Sequence, residues 1–291
     1  MATEGPRGAL TGSSKLVPLA EAARAVRAGE SVALGLCLEA SIPFALGHEL
    51  IRQGTDRLTL VGPISDMLFD QLIGAGCVDE VVAAWVGNVS AGLGHNYRRA
   101  CEHGEPRPLR VRDHSNYSLA LALLAGAHGL PYVPTRTLVG SDLVESGGFE
   151  AAEFEGEPVV RVRPLRPDVA VLHVQRASAD GLCHVWGNLG VAQEAALAAR
   201  AVVIVAEEIV PREELVADPN RVLVPPHKVV AVAHEPRGAH PSPVLGCYDR
   251  DHAHFAEYHR RSRERADFEH WLDEWVLSVP DRGAYLRKLE P

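Results

Sequence analysis

Cys183 and His184 are adjacent in the stretch PDVAVLHVQRASADGLCHVWGN, which spans residues 167–188. A thiol beside an imidazole base is a common catalytic nucleophile. Here, however, Asp180–Gly181 is a strong signal for a two-residue turn, and strand-like residues flank it. The pattern predicts a hairpin with both residues on its returning strand. Because successive side chains of a strand point to opposite faces, they cannot act together as nucleophile and base, and we interpret the pair as scaffold.

Histidine and cysteine also bind transition metals, and the chain contains 14 histidines and five cysteines. The cysteines are scattered and form no CxxC motif, so neither a zinc knuckle nor a disulfide framework is indicated. His252 and His259 lie seven residues apart, with Asp249 and Glu257 nearby. Histidine ligands on one helix are usually three or four residues apart and supported by a carboxylate. A solvated helix face is the better interpretation, and no metal site is predicted.

Two acidic residues, Glu207 and Glu208, directly follow the apolar segment VVIVA. Carboxylates at the C-terminal end of a buried strand stand where α/β proteins bind ligands, so one of them is a candidate general base. They equally suit the start of a turn or a helix cap. The sequence leaves these alternatives open.

Two further places offer groups that bind anions. In the segment VGPISD, Gly62 and Ser65 follow a strand, where exposed backbone amides suit a carboxylate or thioester oxygen. In PYVPTRTLVGSD, the guanidinium of Arg136 is suited to a bidentate bond with a substrate carboxylate. The alternative for Arg136 is a structural ion pair with an acid of residues 145–157.

Loops that bind nucleotide phosphates are not indicated. The segment GLGHN lacks the third glycine of a dinucleotide-binding fingerprint, and the chain contains no GxxxxGK[ST] motif. A dinucleotide cofactor is therefore not predicted.

The elements that must position these residues are short apolar runs separated by helical patterns. Several runs are apolar on both faces, which is typical of a parallel sheet covered by helices on each side. The candidate strands are SVALGLCL (31–38), LTLV (58–61), VVAAWV (81–86), VAVLHV (169–174), VVIVA (202–206) and VVAVA (229–233). We therefore predict an α/β fold with an open, mostly parallel sheet and helices on both faces.

Helix signals lie between and after these strands. Ser41 is a predicted N-cap with Pro43 in the first turn, and Gly54 is the predicted end of that helix. Ser115 precedes NYSLALALLAGAHG, which is apolar nearly all round and predicts a buried helix. Residues 251–277 predict a helical C-terminal segment of one or two amphipathic helices with the apolar residues Phe255, Tyr258, Phe268, Leu272 and Trp275.

Composition limits the classes of function. Hydrophobic residues make up 46% of the 291 residues, and the formal charge is −9, from 29 Lys and Arg against 38 Asp and Glu. A net acidic chain has no general attraction for phosphate backbones, so nucleic acid is not an expected partner. The sequence has neither a signal-peptide pattern nor an apolar run that approaches a membrane span, which predicts a cytoplasmic protein without a membrane partner. We expect a disordered tail over residues 1–14 and a single domain over 15–291.

Four segments, in the same order, resemble the family I coenzyme A transferases, and in particular the α subunits of the glutaconate CoA-transferase branch. They are PDVAVLHVQRASADGLCHVWGN, HSNYSLALALLAGAHGLPYVPTR, VVIVAEEIV and EPRGAHPSPVLGCYDRDHAHFAEY, and together they cover most of residues 15–280. The segment GLCLEASIP departs from the family, which usually has a glycine-rich GxGxP-type loop there. Fewer glycines imply a loop that approaches a CoA pyrophosphate less closely.

The resemblance implies a CoA-transferase α-subunit fold, paired with a homologous β subunit, with the active site in the cleft between them. The nucleophilic glutamate, which forms an acyl anhydride and then a glutamyl–CoA thioester, would follow the second strand of the β subunit. Coenzyme A would enter as an acyl-CoA substrate, with carboxylic acids as the other substrates and no metal. This chain would supply no catalytic residue. Its candidate residues for binding the acyl substrate are Gly62, Ser65, Ser115, Arg136, His240 and Ser242.

Other members of the family use the same scaffold to open rings of CoA thioesters by hydrolysis or to decarboxylate glutaconyl-type thioesters. In the ring-opening relatives, a catalytic glutamate of the α-like chain begins a helix where this chain has Ser115 or Asn116, next to His114. The absence of this glutamate from the present chain favours a transferase subunit that moves CoA between acyl or dicarboxylic acids. The alternatives are a subunit of a hydrolase or decarboxylase and a non-catalytic subunit.

Overall fold

The structure is a computed structural model that describes residues 14–289. The predicted tail over residues 1–14 lies outside the described residues, except for Ser14. The strands are β1 (Ser31–Ala33), β2 (Leu58–Ile64), β3 (Val78–Trp85), β4 (Gly87–Asn88), β5 (Gly92–Leu93), β6 (Arg110–Asp113), β7 (Val133–Thr135), β8 (Glu150–Phe154), β9 (Glu157–Val162), β10 (Val169–Ala177), β11 (Cys183–His184), β12 (Ala201–Ile209) and β13 (Val229–His234).

The α-helices lie between and after these strands. They are α1 (Leu19–Ala23), α2 (Phe44–Arg52), α3 (Asp66–Gly74), α4 (His95–His103), α5 (Asn116–His128), α6 (Leu143–Ser146), α7 (Ala192–Ala198), α8 (Arg212–Val216), α9 (His252–Arg261), α10 (Arg265–Leu272) and α11 (Arg282–Leu289). A π-helical turn, Asp273–Leu277, follows α10 directly.

The central sheet has the strand order β13-β12-β10-β1-β2-β3-β6, and every pair along this path is parallel. The short strand β11 adds to β10 in the antiparallel direction. Strand β1 therefore lies between β10 and β2, and the chain extends the sheet outward from it in both directions. The mostly parallel sheet predicted from the sequence is confirmed.

Alternate residues of the central strands pack into two different cores, one on each face of the sheet. Val32 of β1 belongs to the first core and Ala33 to the second, and Leu60 and Val61 of β2 divide in the same way. Because side chains alternate along a strand, a strand covered on both faces must be apolar at every position. This explains the continuous apolar runs in the sequence and confirms the prediction of helices on both faces.

The first predicted strand, residues 31–38, is shorter than expected and ends at Ala33. Gly35 and Leu38 have positive φ angles of 63° and 61°, which no extended strand allows. The apolar residues that follow β1 are buried in a loop instead of a strand. By contrast, β2 continues to Ile64 and β10 to Ala177, beyond their predicted ends.

The prediction of Ser41 as a helix N-cap is wrong. Helix α2 begins at Phe44 with Pro43 at the N-cap position, and Ser41 lies in the preceding loop with a φ of 53°. Its backbone N–H donates to the carbonyl of Pro243 at 2.9 Å, so a long-range contact decides its conformation. The predicted end of α2 is confirmed, since Gly54 follows the helix with a φ of 63°.

The predicted start of α5 is confirmed in atomic detail. The Ser115 hydroxyl accepts the backbone N–H of Ser118 at 3.0 Å, and the Ser118 hydroxyl accepts the N–H of Ser115 at 2.9 Å. This reciprocal pair is a capping box, which satisfies two backbone donors at the start of a helix. The predicted C-terminal helical segment consists of α9, α10 and the π-helical turn, and its five predicted apolar residues all belong to the first core.

A three-stranded antiparallel sheet, in the order β7-β9-β8, lies outside the central sheet and was not predicted. It includes residues 150–162, where the sequence has no candidate strand. The strands of this small sheet are short, and β8 is mostly exposed, so its residues lack the continuous apolar pattern of the central strands.

Candidate functional site

Three loops meet at the carboxyl edge of the central sheet, where the direction of strand addition reverses. They are residues 34–42 after β1, residues 188–190 after β11 and residues 243–249 after β13, and we call the space between them the switch-point crevice. In open α/β sheets, ligands bind in the crevice at such a point, because loops on either side of it diverge. The topology therefore selects this crevice as a candidate site.

Backbone hydrogen bonds connect the three loops. The N–H of Val191 donates to the carbonyl of Leu36 at 2.9 Å, and the N–H of Ser41 donates to the carbonyl of Pro243 at 2.9 Å. The loop after β1 is thus held on both sides by segments far away in the sequence.

Gly62, Ser65 and Ser242 support the loop after β1 from behind. The Ser65 hydroxyl donates to the carbonyl of Leu34 at 3.0 Å, and the Ser242 hydroxyl donates to the carbonyl of Glu39 at 2.8 Å. A Cβ atom on Gly62 would lie 2.4 Å from the Leu34 carbonyl oxygen, so only glycine fits there. Both serines have no exposed surface. Their role in acyl binding remains a prediction.

The crevice contains a cavity of about 450 Å³. Its wall consists of Ala40, Asn188 and residues 243–249. Apolar side chains form most of this wall, Asp249 is its one carboxylate, and no lysine or arginine among the described residues lines it. The cavity therefore offers shape and apolar surface, without a cation for a substrate carboxylate.

Behind this wall, Glu207 is held by three partners. Its Oε1 lies 2.6 Å from Nε2 of His173 and accepts the Tyr248 hydroxyl at 2.7 Å, while its Oε2 accepts the N–H of Arg237 at 2.7 Å. Burial alone raises the pKa of Glu207, but the contacts with His173, Arg237 and Tyr248 together outweigh it and lower the pKa below its usual value. Glu207 is therefore an ionised anchor for Tyr248, which lines the cavity.

The alternatives of a turn or a helix cap for the two tandem acids are wrong, because both lie within β12 (Ala201–Ile209). Glu208 points away from the network of Glu207 and pairs with Arg176 at 2.8 Å, where both side chains are largely exposed. One acid is thus structural, and the other lies at the surface.

Asp66 and Arg250 form a buried ion pair that sequence reasoning missed. The carboxylate and guanidinium are 2.5 Å apart, with side-chain exposures of 0% and 9%, and the guanidinium also covers the ring of Phe255. Asp66 additionally accepts the backbone N–H groups of Met67 and Val89, each at 3.0 Å. Burial raises the pKa of Asp66, and Arg250 and these amides oppose the rise.

One sequence signal for this pair was present. Asp66 directly follows Ser65 at the carboxyl end of β2, where a carboxylate suggests a function. Its partner Arg250 is 184 residues away, and no sequence pattern connects them. Asp66 also has a φ of 51°, a conformation that most residues avoid. The pair holds the loops after β2, β3 and β13 together.

His240, another predicted site residue, is buried inside the helical layer. Its Nδ1 lies 3.0 Å from the hydroxyl of Tyr285, and its Nε2 lies 3.1 Å from Asp251. Burial, with help from the nearby Arg282, lowers its pKa to about 4, against the opposing effect of Asp251. His240 is therefore neutral at neutral pH and connects the loop before α9 to α11. Its predicted contact with substrate remains a prediction.

Ser115 and Arg136 lie apart from the other candidates. Ser115 caps α5 at the far edge of the central sheet, after β6. Arg136 follows β7 and pairs with Glu157 at 3.1 Å, with side-chain exposures of 71% and 59%. The ion pair is the structural alternative that the sequence left open for Arg136, and its exposed guanidinium remains available to a further anion.

The structure confirms the scaffold interpretation of Cys183 and His184. Both are buried on β11, paired antiparallel with β10. Burial raises the pKa of Cys183 to about 12, and the His184 ring bonds the carbonyl of Leu215 at 2.9 Å. The connecting turn has three residues instead of two, because the N–H of Ser178 bonds the carbonyl of Leu182.

The C-terminal histidines have protein partners of their own. His252 Nδ1 lies 3.2 Å from the Ser90 hydroxyl, and the His259 ring packs against His95. Within residues 14–289, no three histidine, cysteine, aspartate or glutamate side chains converge as possible metal ligands. No helix formed by the same residues is long and apolar enough to cross a lipid bilayer.

The fold and the crevice define an open α/β protein with a candidate ligand site at the switch point of its sheet. The family profile described as coenzyme A transferase matches residues 17–235. The chain belongs to the coenzyme A transferase family and is of its α-subunit type. The family predicted from the four sequence segments is confirmed.

Individual relatives match nearly the whole chain. It is 39% identical over 280 residues to the A-type, or α, chain of 3-oxoadipate CoA-transferase from Pseudomonas knackmussii, covering 95% of this chain and 98% of the relative. The corresponding chain of glutaconate CoA-transferase from Acidaminococcus fermentans is 32% identical over 296 residues, covering 95% and 92%. Both relatives are α-type chains of transferases.

Solved structures agree with these matches. The crystal structure of glutaconate coenzyme A-transferase from Acidaminococcus fermentans has a TM-score of 0.89 at 32% identity, covering 95% of this chain and 93% of the other. A variant of the decarboxylase AibA/AibB has a TM-score of 0.75 at 26% identity, covering 89% and 99%. The same fold thus occurs in a transferase and in a decarboxylase.

Proposed function

We propose that this chain is the α subunit of a heteromeric CoA-transferase that moves CoA between acyl or dicarboxylic acids. The observation that carries the proposal is the similarity to the α-type chains of two transferases over more than nine-tenths of each protein. The relatives' names indicate a second, β-type chain as partner. The active site then lies between this chain and a homologous β subunit.

The reaction proceeds through a glutamate of the partner. Its carboxylate attacks the acyl-CoA carbonyl and expels the CoA thiolate, which leaves an acyl–glutamyl anhydride. The thiolate then attacks the glutamyl carbonyl, which releases the first acid and forms a glutamyl–CoA thioester. The carboxylate of the acceptor acid then attacks the glutamyl–CoA thioester and expels the CoA thiolate, which gives a second anhydride. The thiolate attacks the acyl carbonyl of that anhydride, which forms the new acyl-CoA and frees the glutamate. A covalent route of this kind divides one difficult acyl exchange into easier steps.

The role of this chain is to bind and orient the acyl group. In support, its buried carboxylates Asp66 and Glu207 are each engaged by several donors, which makes them poor nucleophiles. Gly62, Ser65 and Ser242 contribute by holding the loop after β1 in place.

Three other predicted residues differ in access to substrate. His240 is buried and supports the segment that precedes α9. Ser115 is the N-cap of α5, and Arg136 has an exposed guanidinium. Of the three, Arg136 is therefore the best placed to meet a substrate carboxylate from solution.

The experiment is to trap the thioester and find which chain carries it. The complex with the homologous β subunit is incubated with acyl-CoA and reduced with borohydride, which converts a glutamyl thioester to a primary alcohol. Each chain is then weighed by mass spectrometry. Modification of the partner alone supports the proposal.

The control is the same treatment of this chain by itself. Modification of this chain, or robust transferase activity of the isolated chain, overturns the subunit proposal. A complex with the partner that shows neither activity nor trapping overturns the transferase proposal.

A second candidate function is that of a decarboxylase or hydrolase subunit, favoured by the similarity to AibA/AibB. The two functions differ in their need for an acceptor acid. The complex is incubated with acyl-CoA thioesters in the absence of any acceptor. Release of CO₂, or cleavage of a carbon–carbon bond by water, identifies the second candidate, whereas exchange that begins only when an acid is added identifies the transferase.

A further inference from the structure

A second cavity lies beside β6, the strand at one end of the central sheet. It has a volume of about 100 Å³ and lies between edge strand β6 and the small antiparallel sheet. Three arginines line it: Arg112 of β6, Arg161 of β9 and Arg163 just after β9. We call this cavity the arginine pocket. Nothing in the proposed function uses these residues.

Positive charge exceeds negative charge around the arginine pocket. Arg112 bonds Glu80 at 2.7 Å, and Arg161 and Arg163 share Glu150 at 3.0 and 3.6 Å. Glu80 is shared with a further arginine, Arg110, at 3.4 Å, so four guanidiniums face two carboxylates. Each guanidinium has five N–H donors, and these contacts use a small part of them.

The other residues that line the arginine pocket carry no charge, and the space they leave is small. Phe149, Leu165 and His114 are part of its lining. Burial, and secondly the charge of Arg112, lowers the pKa of His114 to about 4, although a bond with Ser118 opposes this. His114 is therefore neutral at neutral pH. The space corresponds to a few water molecules and suits a group of a few non-hydrogen atoms.

We propose that the arginine pocket binds an oxyanion group, either a carboxylate or a phosphate. Arginines of two neighbouring elements, Arg112 on one side and Arg161 and Arg163 on the other, line a space of that size. Planar guanidiniums bind both groups through paired charge-assisted hydrogen bonds. A dicarboxylic acid has such a carboxylate, and coenzyme A has such phosphates.

The experiment measures binding directly and needs no turnover, so its outcome is independent of the proposed transferase activity. The full chain is titrated by calorimetry, at constant ionic strength, with inorganic phosphate, glutarate, uncharged butyramide, coenzyme A and 3′-dephospho-coenzyme A. The variants are Arg161→Gln and Arg163→Gln. The matched control is Arg166→Gln, which removes the same charge three residues further on, outside the lining of the pocket.

We expect each pocket variant to weaken binding by about tenfold, the usual effect of losing a charge-assisted hydrogen bond, and the control to leave it unchanged. Arg163 has a side-chain exposure of 77%, so its replacement does not disturb folding. Equal unfolding midpoints of the three variants verify this point.

The ligands distinguish the two sources of the oxyanion. Binding of glutarate without binding of phosphate assigns the pocket to a carboxylate, whereas binding of phosphate, and of coenzyme A more tightly than its dephospho form, assigns it to a phosphate. Either result supports the proposal. The proposal is overturned if no oxyanion binds more tightly than the uncharged butyramide, or if the pocket variants bind as Arg166→Gln does.

Discussion

Beside the switch-point crevice, charged groups are buried and each has several partners, whereas around the arginine pocket they are exposed and loosely paired. Asp66 is fully buried against Arg250, and Glu207 has His173 and Tyr248 as partners. Arg163, in contrast, is 77% exposed and lies 3.6 Å from its acid. The first arrangement maintains the shape of a binding wall. The second leaves donors available to a ligand.

This difference predicts that mutations in the two regions have unequal costs. A buried partner cannot be replaced by water, so its removal leaves an unsatisfied charge or dipole. An exposed ion pair exchanges its partner for water at little cost. Four substitutions, from the largest expected effect to the smallest, test whether buried and exposed polar groups differ in this way.

Asp66→Asn is expected to destabilise the protein by about 3–5 kcal/mol, because it leaves the buried charge of Arg250 without its partner. Asparagine matches aspartate in size and tolerates a positive φ angle, so the variant isolates the loss of charge. The measurement is urea-induced unfolding. The control is Glu102→Gln, which breaks an exposed pair with Arg98 and is expected to cost less than about 1 kcal/mol. Equal losses of unfolding free energy in the two variants would contradict the expected difference between buried and exposed ion pairs.

Tyr248→Phe is expected to cost about 1–3 kcal/mol, because the hydroxyl donates to Glu207 and accepts the N–H of Ala239. Urea-induced unfolding again provides the measurement. Tyr132→Phe, at a tyrosine with 42% exposure, is the matched control and should change little. If both variants have the same stability as the wild type, Tyr248 is not anchored as described.

The same network has a pH signature. Because the folded state lowers the pKa of Glu207, the resulting stability is complete above the ordinary pKa of a glutamate and is lost as the pH falls through the lowered pKa. We expect Tyr248→Phe to lose less stability than the wild type on acidification below pH ~4.5. A parallel decline of the two proteins would contradict the role of Tyr248 in lowering this pKa.

Ser115→Ala is expected to destabilise the protein by about 1 kcal/mol, because it removes the capping box of α5. Ser115→Asp retains an N-cap acceptor and should restore most of the stability. Turnover by the complex with the partner is measured in parallel. Loss of turnover in both variants would support the predicted contact with the acyl group, and normal turnover would limit Ser115 to its role as a cap.

Arg136→Ala is expected to change the unfolding free energy by about 0.5 kcal/mol or less, since its pair with Glu157 is exposed. If Arg136 binds the substrate carboxylate, KM for the acid rises at unchanged stability. Glu157→Gln breaks the same ion pair and keeps the guanidinium, so it should not raise KM. Equal KM values for the two variants and the wild type would exclude Arg136 from substrate binding.

Local patterns predicted much of the fold. The apolar runs at residues 169–174 and 202–206 became β10 and β12, and Ser115 caps α5 as its sequence context indicates. The same reasoning was wrong for Ser41, whose N–H bonds Pro243. Where a distant segment competes with a local signal, the distant contact decides the conformation.

The site was harder to predict than the fold. Glu207 stood out because it follows a buried strand, but its partners His173 and Tyr248 are 34 and 41 residues away. Asp66 and Arg250 are 184 residues apart. The small antiparallel sheet that supports the arginine pocket was also missed, because its short, exposed strands have no strong hydrophobic period.

The sequence by itself determined the α/β class, the positions of most central strands along the chain and the family, since these depend on hydrophobic periodicity and on segments of contiguous residues. Tertiary structure alone decided which polar groups became partners. Hydrogen bonds and ion pairs depend on distances of about 3 Å, and only the folded chain brings residues such as Asp66 and Arg250, or Arg112 and Arg163, to the same place.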